Sequence, residues 1–275
     1  RSALTTLGLP YAQDPAISAD GTVVAFASHA SDVVVGDANH TDDVFVHDRA
    51  TGVTSRVSVA SDGTEADLWS LDPALSADGR FVAFWSGASN LVAGDTNGSF
   101  DVFVHDRSTG VTSRASVASG GAQADGYSAR PAISADGRFV TFDSGAPNLV
   151  AGDTNGATDV FVHDRATGVT SRVSVASDGA QADGGGFNPT ISADGRHIAF
   201  GSHSTDLVPG DTNGAGDVFV HDRSTGATTR VSVASGGIQA GGSYVWAPGI
   251  SADGRLVAFV SGSTDRGAGD TRRAC

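Results

Sequence analysis

The chain has 275 residues and a formal net charge of −14. That surplus of negative charge argues against nucleic acid or anionic lipid as a partner, since both repel it. Hydrophobic residues make up 39%, enough for a packed core, and no run is long and apolar enough to span a membrane.

The polar inventory is narrow. All 17 basic residues are arginine, and Glu65 is the one glutamate among 31 acids. Aspartate with Gly, Ser, Thr and Asn belongs to turns and oxygen-rich cation loops rather than helices. The chain contains no methionine. It reads as a mature or excised segment of a secreted protein, with any signal peptide removed. The lone Cys275 cannot form an internal disulfide and is available only for pairing between chains.

Taken in chain order, the elements repeat. The tetrapeptide SADG starts at Ser18, Ser76, Ser134, Ser192 and Ser251, which gives spacings of 58, 58, 58 and 59. Aspartates of a GD dipeptide follow the same spacing at Asp37, Asp95, Asp153, Asp211 and Asp270. A period of this length belongs to solenoids, propellers or arrays. Within the second repeat, PALS is a short apolar strand A and ADGR a turn. FVAFWS is strand B, followed by a GDTNG loop. DVFVHDR is strand C, STG a tight turn, and TSRASV strand D. No apolar stripe of period 3.6 appears. Four short antiparallel strands per repeat predict an all-β fold, a β-propeller of four-stranded antiparallel blades. Tandem sandwiches are disfavoured, since 58 residues is little for an independent core.

These stretches carry a resemblance. SADGRFVAF, the aspartate loop, DVFVHDR and STG together resemble the bacterial WD40-like or TolB-type (PD40) propeller repeats over nearly the whole chain. The resemblance implies blade architecture and leaves function open, because such propellers serve as binding modules, as enzyme-attached domains and as extracellular repeats.

Blades are expected to start near 15, 73, 131, 189 and 248, in a single domain over 1–275. Strands A and B occur five times and strands C and D four, so five blades are expected, the fifth incomplete. Residues 1–14 stand where a strand D and its following loop belong, and are expected to close the ring by completing the last blade. Five full repeats need about 290 residues, so the chain is about 15 short. An abbreviated strand, a longer parent chain, or strand addition by a neighbouring molecule can fill that gap.

The GD loops are the candidate cation sites. The copies read GDANHTDDVF, GDTNGSFDVF, GDTNGATDVF and GDTNGAGDVF. Positions 1, 3 and 7 are constant: Asp37, Asn39 and Asp43; Asp95, Asn97 and Asp101; Asp153, Asn155 and Asp159; Asp211, Asn213 and Asp217. The all-oxygen set resembles the first half of an EF-hand or dockerin-type loop without its distal glutamate. It predicts about four Ca²⁺ sites, with Mg²⁺ second and zinc or copper disfavoured. The competing reading is a polar turn in which Asp101 caps strand C. The fifth copy puts Arg272 at position 3, and no site is expected there. Two sequons, at Asn39 and Asn97, overlap the loops.

His47, His105, His163 and His221 recur in HDR. One per blade, they cannot form a cluster and are read as surface residues. No hydrolase signature or P-loop appears, and near-identical repeats offer no asymmetric catalytic constellation. The segments between strands D and A do vary, and carry Tyr11, Trp69, Tyr127, Phe187, Tyr244 and Trp246. In a four-stranded blade these segments share a face with the acidic loops, so the aromatics are candidates for stacking on sugars or anchoring a protein; packing between blades is the alternative.

Three functions follow. The first is a secreted, calcium-binding propeller acting as a structural subunit that associates with itself. The second is a carbohydrate- or protein-binding module using the aromatic face. The third is a non-catalytic piece of a larger enzyme.

Overall fold

The computed structural model describes residues 12–234, 237, 239 and 245–262. Every regular element among them is a strand. The first repeat gives β1 (Ala12–Ile17), β2 (Val23–Ser28), β3 (Asp43–Asp48) and β4 (Val53–Arg56). The second gives β5 (Ser70–Leu75), β6 (Phe81–Ser86), β7 (Asp101–Asp106) and β8 (Val111–Arg114). The third gives β9 (Ser128–Ile133), β10 (Phe139–Ser144), β11 (Asp159–Asp164) and β12 (Val169–Arg172). The fourth gives β13 (Phe187–Ile191), β14 (His197–Ser202), β15 (Asp217–Asp222) and β16 (Ala227–Arg230), and the fifth gives β17 (Val245–Ile250) and β18 (Val257–Ser261). Four sheets are four-stranded in sequence order and the last is two-stranded, all antiparallel. The end of the fifth repeat, and the amino-terminal segment expected to complete it, lie outside the described residues.

Each first strand starts about three residues before the expected repeat start. It pairs across its proline through a bulge: the register with the second strand shifts between Leu71 and Ala74, and likewise in the other repeats. A proline cannot donate to a ladder, so a bulge is where a paired strand can hold one.

The second and third strands of each four-stranded sheet are buried almost throughout because they are covered on both faces. A phenylalanine pair sits directly cross-strand in every four-stranded sheet: Phe26 with Phe45, Phe84 with Phe103, Phe142 with Phe161, and Phe200 with Phe219. Their ring centroids lie 5.7–6.0 Å apart, in the range of favourable aromatic contact. The apolar clusters lie between consecutive sheets: Val44, Val46 and Val57 of the first repeat pack with Val82 and Phe84 of the second.

SADG makes the sheet-to-sheet joint. In the second copy the Phe81 amide donates to Ser76 Oγ at 2.9 Å, Ser76 Oγ donates to Asp78 at 2.6 Å, and the Gly79 amide donates to the Ser76 carbonyl at 2.9 Å. Gly79 has φ 67°. The alanines then bond across repeats. The Ala19 amide donates to Ala77, Ala77 to Ala135, Ala135 to Ala193, and Ala193 to Ala252, each at 2.9 Å. The glycine lies against the preceding repeat: a Cβ on Gly79 would fall 2.7 Å from Val23 Cβ, and one on Gly137 would overlap the Phe81 ring.

The repeated histidines are not surface residues. His105, His163 and His221 are buried, and His47 is half-buried. His105 Nδ1 lies 2.9 Å from Thr112 Oγ1, and the Thr112 hydroxyl donates to the Val59 carbonyl of the preceding repeat. The threonine proton is thereby committed, so the imidazole is the donor and Nδ1 carries its proton. Burial pushes the His105, His163 and His221 pKa values down. They are neutral rivets between blades, on a strand that strand D covers.

Gly137→Ala places a side chain on a left-handed residue and into Phe81. It is expected to lower the unfolding free energy by at least about 2 kcal/mol. Urea denaturation reads the change, and an unshifted midpoint refutes the role given to this glycine.

Candidate functional site

The bulge of each first strand does more than admit a proline. Asp14, Asp72, Arg130 and Asn188 have φ of 51°, 49°, 51° and 52°. Left-handed backbone is tolerable for Asp and Asn and uncommon for arginine, and such strain concentrates where structure serves a site. All four residues line one cavity of about 560 Å³, together with Pro15, Pro73, Pro131, Pro189, Thr190 and Pro248. Residues of the five first strands thus line a single cavity.

The chemistry around the opening is asymmetric. Asp72 Oδ2 accepts from Trp85 Nε1 at 2.7 Å. Burial pushes the Asp14 carboxyl pKa up, and the neighbouring Asp72 charge adds to the shift. Across from them Arg130 Nη1 donates to Asp143 Oδ2 at 2.6 Å, and the Asn188 amide of the next repeat donates to the same oxygen at 2.9 Å. Asp143 is fully buried, and its Oδ1 has no hydrogen-bond partner. Burial raises its pKa, with Arg130 acting against the shift. Its counterparts on the second strands are Ala27, Trp85, Gly201 and Val260, so this carboxylate is unique to the third repeat.

Sequence reasoning passed over these residues, although a signal existed. Asp14, Asp72, Arg130, Asn188 and Ala247 each precede a constant proline. They end the variable segments whose aromatics drew attention instead. The aromatics pack elsewhere. Trp69 meets Phe100 edge-on at 5.4 Å, Phe100 meets Trp85 at 4.8 Å, Tyr127 OH bonds Thr158 Oγ1, and Phe187 packs on His203 at 5.4 Å. Trp69 and Tyr127 stay partly exposed beside the loop residues Phe100 and Thr158. Tyr11 and Tyr244 lie outside the described residues, as does the side chain of Trp246.

The structure does gather the predicted loop residues, and it places an arginine among them. Arg114, at the end of the fourth strand, lies 3.3 Å from Asp95 and 3.6 Å from Asp101. Arg172 lies 3.6 Å from both Asp153 and Asp159. Arg230 lies 3.4 Å from Asp211 and 3.7 Å from Asp217. Arg56 lies 3.6 Å from Asp37 and 3.0 Å from Asp43. Position 3 acts as a turn residue: Asn97 Oδ1 accepts from the Ser99 amide, while its Nδ2 donates to Asp101 and to the Ala124 carbonyl. Asn39 and Asn155 do the same. Asn213 donates to Asp217 and accepts from the Ala215 amide. Position 7 is anchored by a serine, as in Ser116 Oγ to Asp101 at 2.5 Å.

A glutamine closes the later loops. Gln123, Gln181 and Gln239 accept from the position-2 amides of Thr96, Thr154 and Thr212. Gln181 Nε2 donates to Asp153 and Asp159, and Gln239 Nε2 to Asp211 and Asp217. With a guanidinium and one or two amide NH₂ groups facing the carboxylates, the donor set of the second, third and fourth loops does not fit a calcium ion, which requires oxygen on every side. Arg272, in the broken fifth copy, lies outside the described residues.

No known protein family and no curated protein matches the chain by sequence. Solved structures do match by shape. TolB from Acinetobacter baumannii aligns at a TM-score of 0.53 and 18% identity, over 92% of this chain and 52% of that one. A putative TolB from Agrobacterium tumefaciens aligns at 0.55 and 17%, over 91% and 74%. The fold is that of the TolB-type β-propellers. The tricorn protease shares it at 0.52 and 15% identity, over 94% of this chain and 25% of the protease. The TolB-type likeness read from the repeats is thereby matched in three dimensions, and it is a likeness of fold. The chain spans about half the length of the Acinetobacter protein.

Arg130→Met leaves Asp143 buried without its ion partner. Arg130 is 48% exposed in the pair, so the cost is expected near 2 kcal/mol rather than the 3–5 of a fully buried pair. Asp143 has a raised folded-state pKa, so its charged form is the costly one, and the loss is expected to be larger at pH 7.5 than at pH 4.5. Denaturation curves at both pH values decide it, and an equal loss at both removes Asp143 from the explanation.

Proposed function

We propose that the chain is an extracellular ligand-binding propeller whose ligand docks at the channel mouth. The supporting observation is the ring of strained residues around one cavity, differing in charge where the repeats are otherwise copied. The charged residues lining the opening, Asp14 and Asp72 against Arg130, leave it one charge negative (−2 + 1 = −1), and Asp143 behind the wall pairs with Arg130. A ligand with an amine or guanidinium relieves the repulsion between Asp14 and Asp72, while Arg130 and Asn188 take a polar group opposite. Apolar proline walls and a few convergent polar groups are the usual make-up of such sites. The finer architecture proposed with it is a ring of five blades, the fifth completed by the amino-terminal strand. Closure requires the bond the SADG ladder still lacks, Ala252 amide to Ala19 carbonyl.

A second reading, assembly with further copies of the chain, draws on the two end sheets. Ile17 on the first is 57% exposed and Leu256 on the last is 71% exposed. These faces are the two halves of the joint that recurs inside the chain, so they are complementary head to tail.

For the first reading, an array of peptides and glycans is probed with the protein and with its Asp14→Asn/Asp72→Asn variant. Ligands bearing amines or guanidinium groups are expected to bind, and to weaken at least tenfold in the variant. Hits confined to neutral glycans, and lost in Trp69→Ala, would instead support the aromatic face. For assembly, light scattering behind size-exclusion chromatography in Ca²⁺ is expected to show mass rising with concentration, and Leu256→Glu to abolish the rise. A monomer at every concentration sinks it.

A further inference from the structure

The side chains of the channel mouth are sorted by charge around the ring. The first and second repeats contribute Asp14 and Asp72; the third and fourth contribute Arg130, Asn188 and Thr190. The two aspartates stand on neighbouring first strands, near enough for the charge of Asp72 to act on the Asp14 carboxyl. On the opposite side two buried oxygens have no hydrogen-bond partner, Thr190 Oγ1 and Asp143 Oδ1. Thr190 lines the cavity, and Asp143 stands behind Arg130 and Asn188, which line it too. A buried hydroxyl without a partner is costly, and Thr190 therefore marks a place where an incoming polar group is favoured. Arg130 gives Nη1 to Asp143 and is still 48% exposed, which leaves the rest of its planar fork for a second acceptor.

We propose that the mouth takes a free basic amino acid such as arginine, an inference that rests on the channel mouth being the ligand site. The two cations of the ligand lie against Asp14 and Asp72, and its carboxylate accepts from the Arg130 guanidinium and the Thr190 hydroxyl. Charge sets the class: the lining carries −1 (−2 + 1), and a molecule with two cations and one carboxylate carries +1. An arginine fork matches the paired oxygens of a carboxylate. A site built around such a contact rejects an analogue that leaves its donors unpaired. The cavity, about 560 Å³, is of the size that encloses a small molecule.

The test is calorimetric titration of the whole chain with L-arginine, with agmatine, which lacks the carboxylate, and with Nα-acetyl-L-arginine and L-citrulline, which each lack one cation. Arginine is expected to bind as one equivalent, and each analogue to bind at least about tenfold more weakly. In Arg130→Met, whose folding is checked by its melting curve, arginine is expected to fall to the affinity of agmatine, and agmatine not to weaken. Agmatine binding as tightly as arginine to the unaltered chain overturns the proposal without recourse to a variant, and so does an equal loss of both ligands in Arg130→Met. The two readings fail separately. Amine-bearing peptides that bind through Asp14 and Asp72, while free arginine does not bind at millimolar concentration, overturn this inference and leave the mouth as the ligand site. Absence of both kinds of binding overturns both.

Discussion

The hydrogen-bond ladder through the SADG turns is the constraint on which the rest depends. Each turn hands an amide to the next repeat's carbonyl at one fixed spacing. The glycine of each turn lets the next sheet lie on the first residue of the strand before it. That close approach packs the phenylalanines of one sheet on the valines of the sheet before it, as Phe84 and Phe103 on Val44, Val46 and Val57. Propeller stability is in this sense a nearest-neighbour sum of identical joints. The joint is built mainly from backbone and glycine, which is why the tetrapeptide survives copying while loops drift. The buried His–Thr–carbonyl relays add a second joint at the outer side of the blade.

Copying solves the fold and leaves little room for recognition. Chemistry that distinguishes one repeat from another must sit where a side chain does not serve the joint. The bulge before each proline is such a place. Its left-handed residue points into the opening instead of into a blade interface, so Asp, Arg and Asn can alternate there without disturbing packing. Asp143 is the exception that entered the blade, and Arg130 with the Asn188 amide makes it tolerable.

Much of the fold was legible from the chain. The second strand was read to the residue, because FVAFWS is an unbroken apolar run bounded by two turn signals. The first strand was read short, because proline masked a bulged pairing that only the partner strand reveals. The loops show where local spacing stops being decisive. Asp, Asn and Asp at positions 1, 3 and 7 fit a cation loop and a polar turn equally well. The arbiter is Arg114 and its counterparts, which sit more than ten residues downstream and reach the loop only after the third and fourth strands pair. The histidines failed for the same reason: a residue reads as exposed until the strand that covers it is placed.

The sequence by itself determined the period, the strand count within each repeat, the turns and the all-β class. These rest on local rules: alternation along a strand, glycine at left-handed turns, proline exclusion from ladder interiors. Tertiary structure alone decided which polar groups meet. It put Arg130 on Asp143 across two strands, Glu65 on the loop that ends twenty-odd residues earlier, and four strained residues around one cavity. Those are long-range encounters set by how sheets stack, and no local pattern encodes the direction in which a side chain will find its partner.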